Sequence, residues 1–283
     1  MLSGLLKKKK MKPWEIPAHP GESPADHKER RRRAYFEEQR ENNIEWFKRM
    51  DFQIDVAGLR VLDLGCGHGA LSIGLAERGA AEVVGLDLDA DRIDFANRTL
   101  TRSFPELGDR IQFQCENVFN LKDQFDLIVS KDAFEHIDDL AGVIHHLHGL
   151  LKPGGHLAPG FSPLYFSPFG DHARFAMKLP WAHAVTPEAL ALRWLKSRTG
   201  TAAQSSMDLG LNRLTPSEFR AIFADPQAWD DVRIQYNRGD NGLFPVFNAL
   251  RQIQPLERFF TTSIYAVARK ATVHTGRAQG LAR

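Results

Sequence analysis

The sequence predicts an α/β fold, a doubly wound and mostly parallel sheet with helices on both faces. Three observations carry that expectation. Short runs rich in leucine and valine alternate with longer amphipathic runs between about residues 60 and 160, the pattern of strands linked by crossover helices. The first apolar run stops at a glycine turn, "GCGHG" at 65–69, that opens straight into a helix-forming segment. Composition is 43% hydrophobic and 25% charged, enough for a buried core, and no apolar run approaches the ~18 residues of a membrane span.

The elements follow in order. Residues 1–25, with prolines at 13, 17, 20 and 24, read as an irregular basic leader. From Asp26 to about Met50 helical spacing returns, with Phe36, Ile44 and Phe47 as the expected buried stripe. "LRVLDLG" is a first strand, followed by a helix from about Ala70 to Arg78. "AEVVGLDLD" and "ADRIDFANRTLTRSF" are the next strand and helix, and "RIQFQCENVF" and "FDLIVSKDAF" are strands three and four. "DLAGVIHHLHGLL" is a helix closed by the turn "KPGG", and "HLAPGFSP" leads into strand five.

After residue 160 the alternation breaks. Residues 161–212, rich in proline and aromatics, read as an inserted cap with one helix near Pro187 to Ser197. Thr215, Pro216 and Glu218 form a capping box at the head of a further helix. "WDDVRIQYNR" is a sixth strand, Leu243 to Arg258 a helix and "TSIYAVARK" the last strand. The principal domain therefore runs over 26–270, with 271–283 expected to be disordered.

Charge is uneven. The formal total is +2, but residues 1–50 carry 13 basic against 8 acidic side chains and residues 269–283 carry 4 basic and none acidic. The body between is about −7, which suits a neutral or cationic ligand better than a nucleic acid. The arginine run 30–33 has acidic neighbours in Glu29, Glu37 and Glu38 and is expected to be a solvated face. Cys66 and Cys115 form neither a disulfide framework nor a zinc spacing, which fits a reducing cytoplasm. In "MLSGLLKKKKMK" the charges follow the short apolar piece, opposite to an export signal.

A glycine turn between strand and helix lets a ligand approach the backbone closely. Gly65, Gly67 and Gly69 also satisfy the loose dinucleotide fingerprint, so the neighbours must decide. Asp63 places a negative charge where a pyrophosphate would lie; it repels a diphosphate and attracts a cation. Asp87, closing the second strand, can accept from two ribose hydroxyls, and Asn117 can face an adenine amino group. A ligand with an adenosine half, a cationic half and no phosphate is S-adenosylmethionine.

Asp63 through Gly69, Asp87, Asn117, "FDLIVSKDAFEH" and "LLKPGG" together resemble the class I S-adenosylmethionine-dependent methyltransferases, over residues 58–157 and, with the last two strands, to Lys270. The resemblance implies a seven-stranded Rossmann-like sheet with the last strand antiparallel between strands five and six. It also implies that Asp63 and the backbone of Gly65, Cys66, Gly67 and Gly69 hold the methionine end, and that Asp87 binds the ribose. Leu88 would pack on the adenine, Asn117 and the Val118 N–H would read its edge, and Ser130 would lie near the methyl donor. The family often has Asp where Asn117 stands. His68 is expected to point outward.

Methyl transfer to a hydroxyl needs alignment and a base. Asp132, Glu135 and His136 are the candidates, since i, i+3 and i+4 share one side of a helical turn. His136 could act as base with Glu135 orienting it, the set could only shape the pocket, or it could hold a divalent cation. The last option is similar to an arrangement in ubiquinone-pathway O-methyltransferases and small-RNA 3′-end methyltransferases, with His172 or His183 completing the ligands; no metal site is assigned from the sequence. His145, His146 and His148 do not converge on a helix and are expected to pack or face solvent. Tyr165, His172, Trp181 and His183, with Phe169, are the expected acceptor contacts in the cap. The expected partner is a small-molecule acceptor, methylated at oxygen. RNA-end 2′-O-methylation and a nicotinamide-binding or non-catalytic cofactor-binding protein are the alternatives.

Overall fold

A computed structural model describes residues 11–51 and 54–272. The ends of the expected leader and the expected tail, 1–10 and 273–283, lie outside the described residues. Seven strands form one sheet in the order β3-β2-β1-β4-β5-β7-β6: β1 (Arg60–Leu64), β2 (Glu82–Asp87), β3 (Ile111–Cys115), β4 (Phe125–Lys131), β5 (Leu151–Phe161), β6 (Trp229–Tyr236) and β7 (Ile264–Lys270). The first five pair in parallel, whereas β7 is antiparallel to both β5 and β6. The strand order turns outward on either side of β1 and β4. That places a crevice at the carboxyl ends of these strands, where open α/β sheets bind ligands.

Helices α1 (Pro24–Met50), α2 (Ala70–Glu77) and α3 (Ala90–Ser103) cover one face, and α4 (Leu140–Leu150) with α7 (Pro216–Ile222) covers the other. Strand interiors read as continuous apolar runs because both faces are buried. Phe36, Phe95, Phe125, Phe134, Phe161 and Phe219 are almost fully buried, each contributing roughly 1.5–3 kcal/mol by its removal from water. The cap has its own small core of Tyr165, Phe166, Phe175, Ala191, Leu195 and Leu211. It carries two helices, α5 (Ala182–Val185) and α6 (Glu188–Thr199), rather than one.

Five sequence expectations need correction. The leader is not wholly irregular, since Pro13–Glu15 forms a 3-10 turn. α1 begins at Pro24, where proline suits the first helical position, and the Ser23 hydroxyl accepts the Asp26 N–H. Ile44 is 58% exposed, and the polar Asn43 takes the buried position between Phe36 and Phe47. "KPGG" belongs to β5, whose pairing with β4 slips between Phe125↔Leu151 and Leu127↔His156. The expected helix over 243–258 is broken into α8 (Phe244–Leu250) and α9 (Glu257–Phe260), separated by a 3-10 turn containing Pro255. The capping box Thr215/Glu218 forms as expected at α7.

Candidate active site

Two adjoining cavities open at the ends of β1, β2 and β4 and share Gly65, Arg92 and Asp132. The larger, about 280 Å³, is walled by Leu64, Leu86, Leu88, Val118, Ile137 and Val143, with Asp87 and Asn117 at its polar rim. The smaller, about 100 Å³, holds Asp63 opposite Lys131 and Arg92, with Tyr35 and Asn43 from α1 above. One cavity thus suits a flat, partly apolar ring system bearing hydroxyls, the other a zwitterionic head.

The glycine turn joins them. Gly65 has φ +76°, and a Cβ there would lie 2.6 Å from the Ala133 Cβ. Gly69 caps α2 at φ +81°, where a Cβ would press to 2.5 Å on the Phe113 ring. Only glycine meets both demands without strain.

Most N–H groups of this turn are already engaged. Those of Gly65 and Cys66 donate to the Leu86 carbonyl at 2.8 and 3.0 Å, and that of Gly67 donates to Asp87 Oδ2 at 2.9 Å. The first turn of α2 is likewise capped from within: Asp63 accepts the Ser72 hydroxyl at 2.6 Å and the Ser72 N–H. A dinucleotide phosphate needs such donors free. The N–H groups of Gly65, Cys66 and Gly67 are therefore spent within the protein rather than free for a ligand.

Asp63 is buried, and burial raises its pKa to about 6 despite the opposing effects of Ser72 and Lys131. Burial lowers the pKa of Lys131, whose ammonium donates to Gln39 Oε1 and Asn43 Oδ1 at 2.9 and 2.8 Å. Asn43 in turn donates to the Ala70 carbonyl at 3.0 Å, pinning α1 to the glycine-turn helix. Asp87 uses its second oxygen on the Asp89 N–H at 2.9 Å, and each oxygen retains a lone pair toward the larger cavity.

The remaining predicted residues separate into groups. Cys66 lines the smaller cavity, and burial raises its thiol pKa. Leu88 is 74% exposed at the rim. The Asn117 side-chain oxygen accepts the Phe119 N–H at 3.1 Å, acting first as a cap. Ser130 is buried and donates to the Leu64 carbonyl at 2.9 Å, so it ties β4 to β1 and leaves the cavity wall to Lys131 and Asp132. His68 does not point outward: its ring packs on Tyr35 and Phe95, its Nε2 is buried without a hydrogen-bond partner, and burial lowers its pKa to about 4. His146 and His148 are packing residues, bonded to the Val118 and Ala228 carbonyls.

Asp132 has φ +51° and stands where the two cavities meet. Its pKa is raised to about 6 by burial, against the pull of Lys131 and the Ser162 N–H. His136 lines the larger cavity, but its Nδ1 is held by the Gly210 carbonyl at 2.5 Å, not by Glu135. Glu135 is buried with both oxygens unpartnered among the described residues, and burial places its pKa well above the usual range. One ligand atom from each of Glu135, His136 and His172 lies within 4.8 Å of the others, whereas Asp132 and His183 are outside that group.

Of the expected acceptor contacts, Tyr165 and His183 are inside the cap core, joined by a 2.6 Å bond from His183 Nε2 to the Tyr165 carbonyl. Trp181 and Phe169 line a third cavity of about 510 Å³ under the cap. Sequence reading missed Asn43, Lys131 and Arg92. The available signal for Asn43 was a polar residue at i+7 from Phe36 on an otherwise apolar stripe.

A family model described as a methyltransferase domain matches residues 55–160. Ubiquinone biosynthesis O-methyltransferase from Stutzerimonas stutzeri is 37% identical over 107 residues, 38% of this chain and 45% of that protein. Its counterpart from Idiomarina loihiensis is 29% identical over 198 residues, 69% and 68% of the two chains. The first of these matches spans about half the relative's length. Among solved structures, an O-methyltransferase family protein from Burkholderia thailandensis shares the fold at TM-score 0.51 and 16% identity, covering 86% of this chain and 60% of that one. The matched residues 55–160 hold the glycine turn, the buried Asp63 and the Asp87 rim, so this part of the chain is similar to a methyltransferase domain, and the 3-2-1-4-5-7-6 sheet gives the chain the Rossmann-like methyltransferase fold.

Proposed function

We propose that the protein transfers a methyl group from S-adenosylmethionine to an oxygen of a small-molecule acceptor. The observation that carries this reading is the pair of joined cavities, one matched to an adenosyl group and one to an amino-acid head, with Asp132 where they meet. When bound, the cofactor supplies an activated methyl group on its own leaving group, so the protein's part is alignment and proton removal.

Asp63 would face the cationic end, with Lys131 and Arg92 facing its carboxylate. Asp87 would accept from the ribose hydroxyls, and Leu88, Val118 and Ile137 would enclose the base. Asp132 is the candidate general base, because it reaches the junction and its neighbour Ser162 lines the cavity under the cap. His136 would border the adenosyl site. The O-methyltransferase names of the relatives favour oxygen as the acceptor atom.

A second reading concerns a divalent cation. The unpartnered Glu135 carboxylate fits one, and the Gly210 and Pro163 carbonyls each hold one nitrogen of His136 and His172, leaving the other as a lone-pair donor. Those three side chains would hold the ion, which would supply Lewis-acid polarisation of an acceptor oxygen.

RNA as substrate has little support, since Arg30 pairs with Glu22 and both Arg32 and Lys28 pair with Asp91. A cytoplasmic location is favoured by the two free cysteines, and no helix among the described residues is long and apolar enough to cross a membrane. The test is incubation of the protein with methyl-labelled S-adenosylmethionine and a panel of hydroxylated small molecules. Label appearing in an ether supports the reading; label in amines only would reject oxygen transfer.

A further inference from the structure

The 510 Å³ cavity under the cap carries a feature that neither the cofactor site nor the proposed base uses. Its walls are apolar, built from Pro163, Phe169, Trp181 and Phe247. The Trp181 indole N–H is spent on the Phe259 carbonyl at 2.9 Å, so that ring offers only apolar surface. Among the polar residues of the same lining, three stand out. Arg49 Nε, Ser167 Oγ and Ser263 Oγ are each buried without a hydrogen-bond partner among the described residues. Ser167 is 0% and Ser263 3% exposed.

Buried donors are rarely left unpaired, and three around one cavity point to a ligand that accepts from them. Arg49 sets its charge. Asp132 and Glu45 feel its field, yet no carboxylate lies within ion-pairing distance of it among the described residues. Its guanidinium and the Ser263 hydroxyl both lie against the Tyr265 phenol, which also lines the cavity. Arg238 and Asp240 also line the cavity, so two guanidiniums and one carboxylate leave the lining with a single net positive charge. One uncompensated guanidinium among apolar rings matches a monoanion, and a planar carboxylate accepts from a guanidinium and a hydroxyl together.

We propose that the cavity binds an acceptor bearing a carboxylate on an apolar, ring-containing body, with Arg49, Ser263 and Ser167 gripping the carboxylate. This rests on the methyltransferase reading and narrows its substrate class to hydroxylated apolar acids. The geometry connects the two. Ser162 lines this cavity and its backbone N–H lies toward the Asp132 and Glu135 carboxylates, so a hydroxyl at the inner end approaches Asp132 while the acid group stays at Arg49.

The test is calorimetric titration of 3-hydroxy-2-naphthoate and of its methyl ester into the full chain saturated with S-adenosylhomocysteine. The acid is expected to bind at least about 10-fold more tightly than the ester. Arg49→Gln should abolish that preference, Arg49→Lys should restore part of it, and Ser263→Ala should weaken the acid by about 3- to 10-fold. Equal binding of acid and ester, a preference that survives in Arg49→Gln, or no binding of either at about 1 mM would overturn the proposal. S-adenosylhomocysteine is titrated into every variant first. Failure of the unaltered protein to bind it would count against the methyltransferase reading. If Arg49→Gln alone fails to bind it, the acid-against-ester comparison on the unaltered protein decides.

Discussion

Asp63→Asn should separate cofactor binding from folding, because the same carboxylate is expected to help one and hinder the other. Asp63 is buried with a pKa of about 6, above the ordinary 3.8. Between those values the folded protein holds a proton that the unfolded chain has lost. Stability of the unliganded protein therefore falls as pH rises through that window, by about 3 kcal/mol in total from ~1.4 kcal/mol per pKa unit. Asparagine keeps an oxygen for the Ser72 hydroxyl and removes the cost, so the variant should be more stable at pH 7 by about 1–3 kcal/mol.

Cofactor affinity should move the other way. A cation about 4–5 Å from the carboxylate gains roughly 3–4 kcal/mol at an effective dielectric of 20, before the loss of solvation is subtracted. About 2 kcal/mol net, or roughly 30-fold in affinity, is the expected loss. In the unaltered protein, affinity should be flat above pH 7, halve near pH 6 and fall about 10-fold by pH 5, as the carboxylate takes up its proton. Calorimetry from pH 5 to 8 measures the affinities and thermal unfolding the stability. Affinity independent of pH, or unchanged in Asp63→Asn, would refute the reasoning.

Further outcomes follow from single contacts. Asn43→Leu should remove the bridge from Lys131 to the Ala70 carbonyl, weakening S-adenosylhomocysteine binding by about 10-fold and lowering stability by ~1–3 kcal/mol, read by titration and thermal unfolding. Gly69→Ala forces a methyl into the Phe113 ring at positive φ and should destabilise the fold by about 1–3 kcal/mol, measured by urea denaturation. Trp181→Ala should raise the acceptor KM at least several-fold and leave cofactor affinity unchanged; a parallel loss of cofactor binding would disconnect that cavity from the acceptor. If a divalent cation binds, the chelator-treated protein should regain thermal stability on adding Mn²⁺ or Zn²⁺, and Glu135→Gln should remove the gain; no shift with any divalent ion would exclude the second reading.

Local pattern made most of the fold legible. Strands β1, β2 and β4 are buried on both faces and bounded by glycine, proline or capping residues, so their apolar runs announce them, whereas β3 at the sheet edge alternates apolar and polar residues. The features that escaped depend on distant partners. Asn43 sits on a buried stripe because Lys131 and the Ala70 carbonyl meet it there, which helical spacing alone does not reveal. Ile44, one residue on, is turned to solvent for the same reason.

At the site, the identities of Asp63, Asp87 and the three glycines were readable because each answers a strict backbone or charge demand. Their actual hydrogen bonds were not. That Asp87 holds the Gly67 N–H and that Gly210, not Glu135, orients His136 are contacts across 20 and 74 residues of sequence. Residues 161–212 stand out in the sequence by their proline and aromatic content, but aromatic character does not distinguish the small core of that segment, where Tyr165 and the buried His183 lie, from the cavity that Trp181 lines.

The most direct test of the central claim is a side-by-side titration of S-adenosylmethionine and NAD⁺ into the full chain and its Asp87→Ala variant. The expected result is one-to-one binding of S-adenosylmethionine at micromolar affinity, at least about 10-fold weaker in the variant, and no binding of NAD⁺. No binding of S-adenosylmethionine by the unaltered chain, or preferred binding of NAD⁺, would contradict the account.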